Sequence, residues 1–191
     1  MVALLCITIA IVLLVARLNS IGRYQRLPFS NCTVPCFAGA TIGETSVNDA
    51  IPLMSQDLAL SGYLSEKPLN DTFFSWVKKS KSKDMNDEVV NAKFEKGVLV
   101  QIGLKTVSLF QLGDLMVTLG SPSCVLTDDK QAFFDLYYLN EKYIITVGVS
   151  KLELDQGVQF IDLSLNTSAN RDCANISASN WQGLSLGKYH P

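Results

Sequence analysis

The chain has 191 residues, of which 48% are hydrophobic and 18% are charged. Its 16 basic and 18 acidic residues give a net charge of −2, which argues against a nucleic-acid partner because such partners require a basic surface. The single histidine, His190, is the penultimate residue, so histidine-dependent catalysis and histidine metal sites are not expected. We therefore predict no cofactor, no metal and no catalytic residue.

The first predicted element is an uncharged segment, residues 2–16, in which Thr8 is the one polar residue. A bilayer core requires at least about 17 apolar residues. Residues 2–18 reach that length if Arg17 extends its guanidinium to the interface. A cleaved signal peptide is the alternative, although no basic residue precedes the segment and residues 18–20 form a weak cleavage site. The sequence predicts a transmembrane anchor, residues 1–20, that contacts the membrane through residues 2–18.

The signals for membrane topology disagree. Three arginines follow the anchor, and the positive-inside rule would place the chain behind them in the cytoplasm: Arg17, Arg23 and Arg26. An even number of cysteines behind an export signal instead indicates two disulfides in an oxidising compartment: Cys32, Cys36, Cys124 and Cys173. Following the cysteines, we predict a single-pass membrane protein with the bulk of the chain extracytoplasmic.

The spacing of the cysteines favours the pairs Cys32–Cys36 and Cys124–Cys173, although other connectivities are open. Three residues separate Cys32 from Cys36, and Pro35 stiffens that loop. A redox-active pair is usually separated by two residues and opens a helix. We therefore predict a structural disulfide in a linker, residues 21–36. A thiol-redox role for Cys32 and Cys36 and a four-thiolate zinc site are the alternatives.

Residues 37–105 are predicted to form a first α+β unit. Apolar residues recur at helical spacing after Gly43, with Thr45 or Ser46 as the N-cap: Val47, Ala50, Ile51, Met54 and Leu58. Pro52 should kink this helix or move its start to a later residue. Strands are predicted at residues 72–77, 88–94 and 98–104.

Residues 106–191 are predicted to form a second α+β unit and a C-terminal tail. A helix over residues 111–120 ends at Gly120, with Pro122 just beyond. Strands follow at residues 123–126, 132–139, 142–149 and 158–165. Because a helix precedes an antiparallel meander twice, the predicted fold class is α+β: an N-terminal transmembrane helix followed by two tandem helix plus antiparallel-meander units.

Two resemblances to known families accompany these patterns. The second unit contains a motif that resembles the helix-and-strand unit of SmpA/OmlA (BamE-like) and β-lactamase-inhibitor-protein-like domains: Leu112-Gly113-Asp114-Leu115-Met116, then Leu119-Gly120-x-Pro122, with later strands ending at Tyr137-Tyr138. The start of the domain is similar to a family of uncharacterised bacterial membrane-anchored proteins, through Cys32-x-x-Pro35-Cys36-Phe37-x-Gly39-x-x-x-Gly43-x-Thr45. In that family tryptophan often holds the position of Phe37. The resemblances imply adaptor, inhibitor or unassigned domains, so no catalytic residue is carried over.

Alternation in the last strands predicts a mixed aromatic and acidic sheet face. The more apolar side chains should pack on the helix, and the second face should gather Phe133, Asp135, Tyr137, Ile144, Phe160 and Asp162. Such a mixture is typical of recognition surfaces, although another part of the chain covering it is the alternative. The predicted function is non-enzymatic binding or scaffolding of a protein partner at the membrane surface. A thiol-redox protein using Cys32 and Cys36, or a carboxylate-based hydrolase, is the alternative.

Overall fold

The structure is a computed structural model that describes residues 11, 34–60, 62–65, 72–80, 87–105, 110–127, 133–166, 173–174 and 178–184. The predicted anchor, residues 2–18, lies outside these ranges except for Ile11, which is helical. Most of the predicted linker, including Cys32, also lies outside them. No helix in the described ranges combines the length and the apolar character needed to cross a bilayer.

Antiparallel strands make up most of the described structure. Two short strands, β1 (Cys36–Phe37) and β2 (Ala40–Thr41), form a hairpin of their own. The other nine belong to one sheet: β3 (Leu64–Ser65), β4 (Phe73–Lys78), β5 (Glu88–Glu95), β6 (Val98–Lys105), β7 (Cys124–Thr127), β8 (Phe134–Leu139), β9 (Tyr143–Val149), β10 (Val158–Leu165) and β11 (Ser179–Asn180). The order across that sheet is β11-β7-β8-β9-β10-β6-β5-β4-β3.

Within residues 34–184, the described segments include two short helices, α1 (Val47–Leu60) and α2 (Leu112–Leu119). Ser46 caps α1, because its Oγ accepts a hydrogen bond from the Asp49 amide at 3.3 Å and donates one to Asp49 Oδ2 at 2.6 Å. Helix α1 begins where the sequence pattern predicted, and Pro52 lies exposed inside it. A later start, one of the two effects expected of Pro52, is therefore wrong, and a kink at Pro52 stays a prediction.

The core lies between the helices and one face of the sheet. A single row of buried side chains crosses seven strands in register: Val125, Leu136, Val147, Ile161, Leu104, Val90 and Trp76. Trp76 Nε1 donates to Ser55 Oγ of α1 at 3.1 Å, which fixes that helix over the β4 end of the sheet. In α2, Leu112 and Leu115 are fully buried. The same row of the sheet therefore contributes to the core from β7 to β4.

The predicted fold class is wrong. The described chain is mostly β structure with two short helices, and it contains neither a helix able to span a membrane nor two separate helix-and-meander units. The two meanders join because β6 pairs with β10 along five residue pairs, from Phe160↔Lys105 to Ser164↔Gln101. This pairing covers two strand edges whose amide and carbonyl groups would otherwise lack partners.

Candidate functional site

The sheet face opposite the core carries the residues that the sequence predicted as a binding surface. Strand register places Asp135, Gly148 and Phe160 in one row across β8, β9 and β10. The next row contains Tyr137, Thr146 and Asp162. The side chains of Asp135, Tyr137, Phe160 and Asp162 are partly exposed. The structure thus brings these residues together on one surface, as the alternation of the strands predicts.

Two phenylalanine rings form the centre of this surface. Phe133, which precedes β8, stacks on Phe160 with ring centroids 5.9 Å apart and an interplanar angle of 18°. The rings close over Gly148, where a Cβ atom would lie 2.8 Å from Phe133 Cζ and nearer still to the Phe160 ring. Glycine at this position therefore permits the stack, consistent with the use of strand glycines where another group approaches the backbone closely.

Two aspartates flank the rings, and each has an unsatisfied carboxylate oxygen. The Oδ1 atoms of Asp135 and Asp162 are buried without a hydrogen-bond partner. Burial raises the pKa of both carboxyls, and the bond that Asp162 Oδ2 accepts from Gln101 Nε2 at 2.6 Å partly opposes the rise in the Asp162 pKa. Neither aspartate forms an ion pair with a described residue.

Tyr137 belongs to the same electrostatic environment. Burial raises the pKa of its hydroxyl, and the nearby Asp135 charge raises it further. We call Phe133, Asp135, Tyr137, Phe160 and Asp162 the aromatic–acidic face. Ile144 lies on the same side of β9 but is only 7% exposed, so it offers little surface to a partner.

Sequence reasoning missed Gln101 and Gly148. Gln101 lies on β6, 61 positions before the Asp162 side chain that it holds, and nothing local to either residue indicates the pair. Gly148 offered a usable signal, since glycine inside a strand often marks a close approach. Gly103 of β6 lies opposite Asp162, and a Cβ atom added to it would meet no atom within 4 Å. This open position borders the aromatic–acidic face on the β6 side.

The cysteines provide a covalent link at the β7 edge of the sheet. Cys124 and Cys173 form the predicted disulfide, with Cα atoms 5.5 Å apart. Cys36 is also disulfide-bonded and is 4% exposed. Since Cys32 lies outside the described residues, the pair Cys32–Cys36 and its thiol-redox role stay predictions. The carboxylate-based hydrolase stays a prediction as well.

Comparison with known proteins assigns no family to the chain. No protein-family model and no curated protein matches it. Among solved structures, it is similar to the crystal structure of a DUF4309 family protein, YjgB, from Bacillus subtilis subsp. subtilis str. 168. The two are 16% identical with a TM-score of 0.42, over 68% of this chain and 84% of that chain. So low a similarity assigns neither fold family nor function, and the resemblances drawn from sequence motifs stay predictions.

Proposed function

We propose that the protein is a non-enzymatic binding domain, tethered at the outer face of a membrane, that holds a protein partner on its aromatic–acidic face. One observation carries the proposal: stacked, partly exposed rings lie between two aspartates that have no basic partner among the described residues. Aromatic side chains beside polar groups are typical of interaction surfaces between proteins.

The aspartates add a thermodynamic argument. A buried polar atom without a hydrogen bond costs roughly 1–3 kcal/mol. The Oδ1 atoms of Asp135 and Asp162 are buried without such a bond, although both side chains are partly exposed. A partner that presents N–H donors there would recover the cost. The aromatic–acidic face is bordered by a basic residue on β6, because the exposed Lys105 lies opposite Phe160.

The extracytoplasmic location rests on the cysteines and on the predicted anchor. The disulfide between Cys124 and Cys173 supports an oxidising compartment, since reducing cytosols keep thiols free. The apolar residues 2–18 support attachment to the membrane.

The proposal is tested by capture of partners from membranes of the native host, with tagged full-length protein as bait. Removal of a central interface ring typically costs enough free energy to weaken binding about tenfold or more. We therefore expect Phe160→Ala to lose the captured partner. Asp135→Asn, which removes a charge but keeps the shape, should also reduce capture.

The matched control is Val117→Ala. Val117 is 69% exposed and lies on α2, on the other side of the sheet, so its truncation should leave capture unchanged. Circular dichroism of each variant checks that the fold is retained. Recovery of the same proteins by wild type, Phe160→Ala and Asp135→Asn would contradict the proposal.

A further inference from the structure

Asp135 keeps a free hydrogen-bond acceptor at the surface of the aromatic–acidic face. Its side chain is partly exposed, and no described residue forms a hydrogen bond or an ion pair with its carboxylate. Oδ1 is the buried oxygen, so Oδ2 is the one that reaches the surface. In Asp162, by contrast, Oδ1 is buried and Oδ2 accepts from Gln101 Nε2 at 2.6 Å. Of the two aspartates, Asp135 therefore offers an unoccupied oxygen to a group that approaches from solvent.

Apolar and aromatic side chains stand on both sides of Asp135. Strand register places Leu126 of β7 opposite it on one side and Gly148 of β9 opposite it on the other. Ring atoms of Phe133 and Phe160, the phenylalanine pair, occupy the Cβ position that Gly148 leaves empty. Because directly paired residues have Cβ positions about 5 Å apart, the phenylalanine pair begins about 5 Å from Asp135.

Tyr137 adds a hydroxyl on the same face of β8, two residues beyond Asp135. Its side chain is partly exposed, and no described residue forms a hydrogen bond with the hydroxyl. Burial and, second, the nearby Asp135 charge raise the pKa of this hydroxyl, so the two polar groups are close enough to interact electrostatically. A protonated hydroxyl both donates and accepts hydrogen bonds. One surface thus combines a carboxylate, a hydroxyl and two rings.

The described residues supply no cation to this carboxylate. Burial raises the pKa of Asp135, and no described basic side chain opposes the rise. Lys105 is the basic residue in the same row of the sheet, but it lies three strands away on β6. Since neighbouring strands are about 4.8 Å apart, that separation is about 14 Å. It exceeds the Debye length of about 8 Å at physiological ionic strength, so Lys105 leaves the Asp135 charge unbalanced.

A guanidinium group has the chemistry that complements this surface. Its N–H groups suit the Asp135 carboxylate and the Tyr137 hydroxyl, and its flat faces stack on aromatic rings. The ammonium of lysine is more strongly hydrated and has no flat face, so a carboxylate between leucine and phenylalanine side chains favours arginine. A Ca²⁺ ion would require about six to eight oxygen ligands, which one carboxylate and one hydroxyl do not supply.

We propose that the aromatic–acidic face recognises an exposed arginine side chain of its protein partner, with the guanidinium bound to Asp135 Oδ2 and stacked on the phenylalanine pair. This assignment rests on the proposed function, because it names the chemistry of the partner that the same face binds.

The first test titrates isotope-labelled full-length protein, in a nonionic detergent, with Nα-acetyl-argininamide. The corresponding citrulline compound is the matched probe, because it keeps the shape of arginine and lacks the charge. We expect the arginine compound to shift the amide signals of Asp135, Tyr137 and Gly148 in a saturable manner, with a Kd on the order of 10 mM for so small a probe. The citrulline compound should bind about five- to tenfold more weakly, since hydrogen bonds between charged groups are stronger than neutral ones.

Asp135→Asn is the informative variant, and Glu141→Gln is its matched control. Both remove one acid from the hairpin of β8 and β9, but Glu141 lies in the exposed turn, about 20 Å along the strand from Asp135. Asp135→Asn should bind the two compounds equally weakly, whereas Glu141→Gln should keep the wild-type preference for the arginine compound. Phe160→Leu keeps an apolar side chain without the ring, so it should weaken binding of the arginine compound about two- to fivefold.

The second test asks whether the partner itself is recognised through arginine. Membrane extracts are treated before capture either with phenylglyoxal, which blocks arginine side chains, or with an acetylating reagent, which blocks lysine side chains. We expect the wild-type protein to lose its partner from the arginine-blocked extract and to keep it from the lysine-blocked extract.

Three results would overturn the inference and leave the proposed function standing. They are equal affinity of the wild type for the two compounds, an unchanged arginine preference in Asp135→Asn, and capture that survives the blocking of arginine. Capture from untreated extract that does not depend on the aromatic–acidic face would instead contradict the proposed function and, with it, the arginine-bearing partner.

Discussion

The effect of adding a Cβ atom to a strand glycine depends on the side chains around it, as Gly148 and Gly103 show. Both lie inside strands on the sheet face opposite the core. The rings of Phe133 and Phe160 fill the space above Gly148, whereas open space lies above Gly103. The sequence shows a strand glycine in both cases, but only the packing of distant aromatic residues distinguishes them.

Alanine substitution should therefore have opposite effects at the two glycines. Gly148→Ala forces the phenylalanine stack apart, and overpacking of this kind costs about 1–3 kcal/mol. Gly103→Ala meets no atom within 4 Å and should be neutral or stabilising by up to about 1 kcal/mol, since it lowers the entropy of the unfolded chain. Urea unfolding measures both. Equal free energies of unfolding for the two variants would contradict the described packing of the rings.

The raised pKa of the Asp135 carboxyl predicts a particular dependence of stability on pH. Its pKa is higher in the folded chain because burial disfavours the charge. The contribution of Asp135 to the free energy of unfolding is fully present below about pH 3.9, the pKa of an aspartate in the unfolded chain. It is lost as the pH rises through the higher pKa that this carboxyl has in the folded chain. Asp135→Asn removes this loss. We expect its Tm to exceed that of wild type at pH 7, with the difference vanishing near about pH 3.

Glu95→Gln is the control in the thermal melts, because the pKa of Glu95 is shifted in the opposite direction from that of Asp135. A hydrogen bond from Lys93 and its charge lower the pKa of exposed Glu95, so any stability from that carboxylate is present at neutral pH and is lost as the pH falls. The Tm of Glu95→Gln should not exceed that of wild type at any pH. An Asp135→Asn variant whose Tm difference from wild type stays constant from pH 3 to pH 7 would contradict the cause given for the Asp135 shift.

Secondary-structure elements were largely readable from local patterns. Strands β4 to β10 begin and end within two residues of their predicted bounds, because alternation and turn residues act over a few positions. Ser46 begins α1 for an equally local reason, since its side chain bonds to an amide three residues later. The two-residue strands at the edges, β3 and β11, escaped prediction because they are too short to show a period.

Loss of the Ser46 cap should destabilise α1. Ser46→Ala removes the acceptor of the Asp49 amide and the hydroxyl that binds Asp49 Oδ2, so we expect a loss of about 1 kcal/mol in the free energy of unfolding. Ser46→Asn retains a capping oxygen and is the matched control. Urea unfolding compares the three proteins. Equal stability of Ser46→Ala and Ser46→Asn would show that the cap contributes nothing.

The junction between β6 and β10 decides the overall architecture. It merges two sequence-consecutive meanders into one sheet and continues a buried row from Val125 to Trp76. The described parts of the two predicted units thereby share one core. Such sharing favours a single cooperative unfolding transition over two separate ones.

Two single-tryptophan variants test this cooperativity. Trp181→Phe leaves Trp76, which is 1% exposed at the β4 side, and Trp76→Phe leaves Trp181, which packs near the opposite edge. In each variant, fluorescence and far-UV circular dichroism should give the same urea midpoint. Because both signals are compared within one variant, the lower stability expected of Trp76→Phe does not affect the comparison. Separate midpoints for the two signals within either variant would show that the halves unfold independently.

Local patterns in the sequence predicted the positions of most strands, both helices and the residues that share one sheet face, and they favoured the pair Cys124–Cys173 among the open connectivities. These follow from periodicity, capping and spacing, which act over short distances or through a count of few candidates. Tertiary structure alone decided that β6 pairs with β10, that Gln101 holds Asp162 and that two rings meet over Gly148. Each depends on residues far apart in the chain, and side-chain periodicity within a strand does not specify which distant strand it joins.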